Sequence, residues 1–238
     1  MQKTNLGAFA AAAALAFCAA AVAQQGGALG EALQSRLAAV KENAAANKAA
    51  LRQYAWTETV QFSMNGEVRS TKQMSCRYGP DGSVAKTPIG PPPEEPKAGP
   101  LKRRIMEEKK EDVTAYMEKV HAVMGLYVPP DGQKMEQAYK AGNLSLGRPA
   151  AGEAGLDFKN YAKPGDTMNL DFSMAAKKLA SLNVNSYVDD PSQPVSLVVR
   201  FATLPDGTSY PSSVNLNAPA KSIQVTIANS NYQKVAGP

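Results

Sequence analysis

Hydrophobic and polar residues alternate most regularly between Tyr54 and Tyr78, in the run YAWTETVQFSMNGEVRSTKQMSCRY. Tyr54, Trp56, Glu58, Val60, Phe62 and Met64 occupy even positions, and Ala55, Thr57, Thr59, Gln61 and Ser63 occupy odd ones. A period of two is the signature of a half-buried strand. Asn65-Gly66 follows, and both residues tolerate the positive φ that a tight type I′ turn requires. The return strand is expected to place Val68, Met74, Cys76 and Tyr78 on one face, with Glu67, Arg69, Thr71, Gln73 and Arg77 on the other. Gly79-Pro80-Asp81-Gly82 predicts a second turn, and Ser83 to Thr87 a short third strand.

On either side of this unit the period lengthens to that of a helix. Leu29, Leu33, Leu37, Val40 and Ala44 recur at spacings of three and four, which predicts a helix over residues 28–53 with a thin, alanine-rich apolar stripe. A second helix is expected over 101–127, carrying Leu101, Ile105, Val113, Tyr116, Met117, Val120, Met124 and Tyr127 mostly on one face. A short third helix over 133–140 follows the Pro129-Pro130-Asp131-Gly132 turn. Residues 88–100, PIGPPPEEPKAGP, carry six prolines and read as a stiff linker without regular structure.

From Leu156 the period returns to two. Strands are expected around Leu156–Phe158, Met168–Phe172, Leu182–Val184, Val195–Phe201, Tyr210–Leu216 and Ser222–Ala228, with Tyr232–Val235 closing the sheet. Turns every 8 to 15 residues argue for an antiparallel meander, curved or barrel-like. The fold class is therefore α+β: a curved, half-barrel-like antiparallel sheet with an N-terminal helix and a helical insert covering one face.

Composition changes this picture at the N-terminus. Lys3, the apolar run GAFAAAAALAFCAA and Ala21-Val22-Ala23 form a Sec-type signal peptide, cut after Ala23. Phe17 stands where lipidation at Cys18 would need a small residue. The expected organisation is a signal peptide over 1–23 and a single α+β domain over 24–238, with the proline-rich linker at 88–100 and the helical insert at 101–142. The expected location is periplasmic or secreted. The mature chain holds no other stretch apolar enough to span a membrane. It keeps one cysteine, Cys76, which reads as a small buried core residue.

The net charge is +5, and its basic residues are scattered. There is no basic stripe interleaved with aromatics, so nucleic acid is not an expected partner. His121 is the single histidine. One histidine and one mature cysteine do not make a zinc site, no G-x-S-x-G elbow presents a serine, and no Walker or G-x-G-x-x-G loop is present. Three Pro-Asp-Gly turns, at 80–82, 130–132 and 205–207, and Asp166 and Asp189-Asp190 lack the alternating calcium-loop pattern, and turn chemistry accounts for these aspartates. No catalytic residue, metal or cofactor is expected.

The order of elements resembles the superfamily of periplasmic lipoprotein carriers of the LolA, LolB and mycobacterial LppX/LprG type. The parts that carry the resemblance are the signal peptide, the leading helix, the W-T-E-T-V-Q-F strand with its N-G hairpin, the helical insert and the late L-P-D-G-T-S-Y hairpin. The resemblance implies an unclosed antiparallel half-barrel with helices lidding an apolar cavity. No functional residue of that family maps onto a position here. The expected function is a non-enzymatic envelope protein that binds a lipid or acyl chain, on a face including Trp56, Val60, Phe62, Met64 and Met74. Each of these also reads as ordinary core. The alternative is a structural or protein-interaction module of the cell envelope, with an envelope protein as partner and the same face fully packed.

Overall fold

A computed structural model describes residues 46–90, 100–148, 150–176 and 178–235. The expected signal peptide and most of the expected helix over 28–53 fall outside the described residues; within the latter range a helical stretch over 46–51 is described, and it ends before Tyr54. Ten strands form one sheet: β1 (Tyr54–Met64), β2 (Glu67–Tyr78), β3 (Val84–Ile89), β4 (Leu144–Gly147), β5 (Glu153–Lys159), β6 (Thr167–Ser173), β7 (Lys178–Tyr187), β8 (Pro194–Thr203), β9 (Ser209–Ala218) and β10 (Ile223–Lys234). Their spatial order is β3-β2-β1-β10-β9-β8-β7-β6-β5-β4. Every pairing is antiparallel. Two helices, α1 (Pro100–Met124) and α2 (Gly132–Lys140), lie in the connection between the two edge strands β3 and β4. The architecture is α+β, with a curved sheet that does not close.

The pleat turns sequence alternation into two unlike faces. On the inner face Leu156, Leu170, Leu182, Val199, Val214, Ile227 and Val60 are successive cross-strand partners from β5 to β1. A second inner row runs Phe158, Met168, Val184, Leu197, Leu216, Val225, Phe62. The outer face carries Asp157, Asn169, Asn183, Val198, Asn215, Thr226 and Gln61 over the same strands.

The helices bury the β5–β8 part of the inner face, while Val214, Leu216, Val225, Ile227, Val60 and Phe62 on β9, β10 and β1 stay half-buried. Tyr116, Val120, Val123 and Met124 of α1, Tyr127 beyond it, and Met135 and Ala138 of α2 are buried together with that part of the inner rows. Each fully buried side chain of this kind is worth roughly 1.5–3 kcal/mol. Asp131 caps α2 by accepting from the Gln133 and Lys134 amides, which satisfies donors the helix leaves unpaired at its start. No helix among the described residues is long and apolar enough to cross a membrane.

The hairpin forms at Asn65-Gly66 with φ of 54° and 77°. Its faces differ from expectation in one respect. β2 carries a bulge, so that Phe62 faces Ser70 but Ser63 faces Val68. The extra residue flips the register by one, and Val68 leaves the inner face with 55% of its surface exposed. Met74, Cys76 and Tyr78 stay with Trp56 and Glu58. The third strand also runs further than its composition suggests, through Pro88 to Ile89. Proline is tolerated there because β3 is an edge strand and needs no outward donor. The segment 91–99 of the expected linker lies outside the described residues. β4 is an additional short strand before the meander, and Ser222–Ala228 and Tyr232–Val235 merge into one strand, β10, that bulges opposite Ala55–Thr57.

Candidate functional site

Phe62 sits on the inner face near the end of β1. Its cross-strand partners are Val225 on β10 and Ser70 on β2. Across from it α1 presents Val113, Met117 and His121 at intervals of four, with Thr114 and Glu118 beside them. That spacing places them on one helical strip. Together these six residues line an open cleft of about 440 Å³. The volume lies within the roughly 300–1,000 Å³ of ordinary ligand pockets.

The cleft is chemically divided. Phe62, Val113 and Met117 are half-buried and form its apolar part. Thr114, Glu118 and His121 are exposed on its helical rim. The next residue, Lys119, is held outside it by an ion pair to Asp189 at 2.7 Å. Among the described residues no group of three His, Cys, Asp or Glu side chains could hold a metal ion. What the arrangement offers is apolar surface under a polar edge, which suits an amphiphile.

The five residues singled out from the sequence share the inner face, but they divide between four surroundings. Phe62 lines the cleft. Met64 packs against the core opposite Ile223. Val60 is half-buried between Ile227 and Lys72. Trp56 and Met74 belong to the β1–β3 wing. There Trp56 is buried and stacks on Tyr232, with ring centroids 5.5 Å apart and planes 7° apart, and lies 5.4 Å from the Tyr78 ring. The indole Nε1 has no hydrogen-bond partner among the described residues. Met74 faces Glu58 and Pro88.

In the same wing Lys86 donates to both oxygens of the buried Glu58, at 2.6 and 2.8 Å. Cys76 is fully buried between Trp56 and Lys86 in the ladder. Burial pushes its thiol pKa up, and the nearby Glu58 carboxylate adds to the shift.

The helical half of the cleft was hidden in the sequence. Val113 and Met117 have the spacing of a packing stripe, and nothing local distinguishes a stripe that is covered from one that stays partly open. The turn aspartates behave as turn chemistry demands. Asp81 accepts from the Ser83 amide at 3.0 Å, Asp190 from Ser192 at 2.8 Å and Asp206 from Thr208 at 3.0 Å.

No family model matches this sequence, and no curated protein matches it. Among solved structures, the crystal structure of a DUF1329 family protein from Desulfovibrio piger is a remote structural relative. The TM-score is 0.42 and the identity 9%, over 87% of this chain and 94% of that one.

Proposed function

We propose that this chain is a non-enzymatic, periplasmic or secreted protein that binds an apolar ligand, a lipid or acyl chain, in the cleft between β1 and α1. The observation that carries this reading is the cleft itself. Phe62, Val113 and Met117 remain half-buried there, next to a stretch of the inner face, Val60, Val214, Leu216, Val225 and Ile227, that the helices likewise leave half-buried. Apolar surface left in water costs roughly 25 cal/mol per Å². A chain laid along these three side chains would recover that cost, while its polar end reached the rim of Thr114, Glu118 and His121.

The signal-peptide pattern of residues 1–23 supports an envelope location. The resemblance to periplasmic lipoprotein carriers supports the same class of ligand. Phe62 is the residue common to the sequence-derived face and the cleft.

The test is uptake of a fluorescent fatty acid by the mature protein purified without detergent, with native mass spectrometry of the same sample. Saturable uptake is expected, weakened at least about tenfold by Phe62→Lys or Met117→Lys, a change of roughly 1.4 kcal/mol or more. Val68→Lys, on the outer face, should leave it unchanged. A protein that takes up no probe, or variants that bind like the wild type, would overturn the reading.

A further inference from the structure

A second cleft lies on the opposite face of the sheet. It has a volume of about 260 Å³ and is lined by Ser63, Gly66, Asn217, Pro219, Ser222, Ile223 and Gln224. Three of these are one cross-strand row: Ser63 of β1 faces Gln224 of β10, which faces Asn217 of β9. Two turns wall it in. The Asn65-Gly66 hairpin turn is tied to the turn after β9 by the Asn65 amide, which donates to the Ser222 carbonyl at 2.9 Å. A Cβ added at Gly66 would meet no atom within 4 Å, so open space lies over the hairpin backbone.

No charged side chain lines this cleft. Its polar groups are two primary amides, two hydroxyls and backbone, all neutral. Glu67 and Lys221 adjoin it in sequence but do not line it. A charged ligand would lose hydration here and gain no counter-charge. An apolar ligand would leave the Asn217 and Gln224 amides without partners. A ligand with several hydroxyl or amide groups and a small C–H face to set against Pro219 matches both halves of the lining.

Size narrows the class further. The volume equals the share of roughly nine waters and falls just below the range of drug-sized pockets. That is room for one ring, not for several. The row also continues beyond the cleft, through Ser196 on β8, Asn185 on β7 and Thr167 on β6, still without a charge. We infer that this outer cleft is a binding site for a neutral sugar unit, with the adjoining Asn, Ser and Thr row offering contacts to further units of a glycan.

The experiment is ¹H–¹⁵N NMR titration of the mature protein with N-acetylglucosamine, its β-1,4-linked trimer and glucuronate. The side-chain amide signals of Asn217 and Gln224 are expected to shift saturably. The trimer should bind more tightly than the monomer, and glucuronate about fivefold or more weakly than N-acetylglucosamine. Both amides are surface groups, so the Asn217→Ala/Gln224→Ala protein should keep its dispersed spectrum and lose affinity about tenfold or more. Dissociation constants weaker than about 10 mM for both neutral sugars would overturn the site. Undiminished binding by the double variant would overturn it too, and glucuronate binding as tight as that of the neutral sugar would overturn the ligand class.

Discussion

Tyr54, the first residue of β1, donates its phenol hydrogen to Asp206 in the β8–β9 turn at 2.6 Å. Lys234, near the end of β10, reaches the same carboxylate at 3.0 Å. Three strand ends that are remote in sequence are thus fastened by one aspartate. The Tyr54 hydrogen bond, with help from the Thr208 amide and Lys234, holds the Asp206 carboxyl well below the usual carboxylate range. A carboxyl whose pKa is depressed by folding stabilises the protein above its ordinary value, about 3.9, and loses that contribution as the pH falls through the folded value. Asp206→Asn should therefore be less stable than wild type at neutral pH, and the gap should close in strong acid. Urea midpoints across that range measure it. A gap independent of pH would mean that the ionised carboxylate contributes nothing.

A second aspartate is engaged more completely. The buried Asp166 accepts from the Tyr161, Ala162 and Lys163 amides at 2.6, 2.8 and 2.6 Å, and from the Tyr127 hydroxyl at 2.6 Å. Asp166→Ala would leave these donors without an acceptor, at a cost of about 3 kcal/mol or more. Tyr127→Phe removes the hydroxyl's hydrogen bonds to Asp166 and, at 2.9 Å, to the Ser186 hydroxyl, and should cost about 1–3 kcal/mol. Urea denaturation should rank the two in that order.

At the alkaline end the tyrosines set the limit. Burial pushes the Tyr161 hydroxyl up to about 12. Burial, followed by the hydrogen bond to Asp166, raises Tyr127 as well. A phenol whose folded pKa is raised contributes stability that is fully present below the unfolded value, about 10, and is lost as the pH climbs through the folded one. The wild type should lose stability over this window more steeply than Tyr161→Phe. Ultraviolet titration of phenolate should show a late phase that merges with the early one once the protein is unfolded.

Cys76 offers a probe of the wing. It is fully buried, and burial raises its thiol pKa. A thiol reagent should leave it untouched in the native protein and modify it at the rate of an ordinary thiol in denaturant. Reaction under native conditions would then report local opening of the β1–β2 hairpin. A native rate equal to the denatured one would contradict its burial.

Much of this fold was legible in the chain. Strict alternation from Tyr54 to Met64, the Asn65-Gly66 turn and the returning period after Leu156 specify antiparallel strands with one apolar face. Alternation alone puts Val68 on the inner face, whereas a single extra residue in β2 turns it outward without changing composition. Composition assigns Pro88 and Ile89 to the linker, since proline usually breaks a ladder, and only the position of β3 at the edge makes it harmless. The inner cleft was half legible. Phe62 follows from alternation, whereas Val113 and Met117 follow from helical spacing that packing would produce equally well. The outer cleft left no trace in the hydrophobic pattern, because Ser63, Asn217 and Gln224 become neighbours only through two strand pairings.

The strand order has a consequence for biosynthesis. The sheet's edges, β3 and β4, follow one another along the chain, while its seam joins β1 to β10, with Tyr54 opposite Lys234 and Met64 opposite Ile223. As the polypeptide emerges, β1 to β3 can pair at once and β4 to β9 can pair in turn, but neither group can meet the other through this seam until β10 has been made. Each flank of the seam, β1 and β9, then waits with one strand edge unpaired, of the kind that invites misassembly. A nascent chain halted just before Ile223 should therefore bind chaperones avidly, and release on adding the last strand should be abrupt rather than gradual.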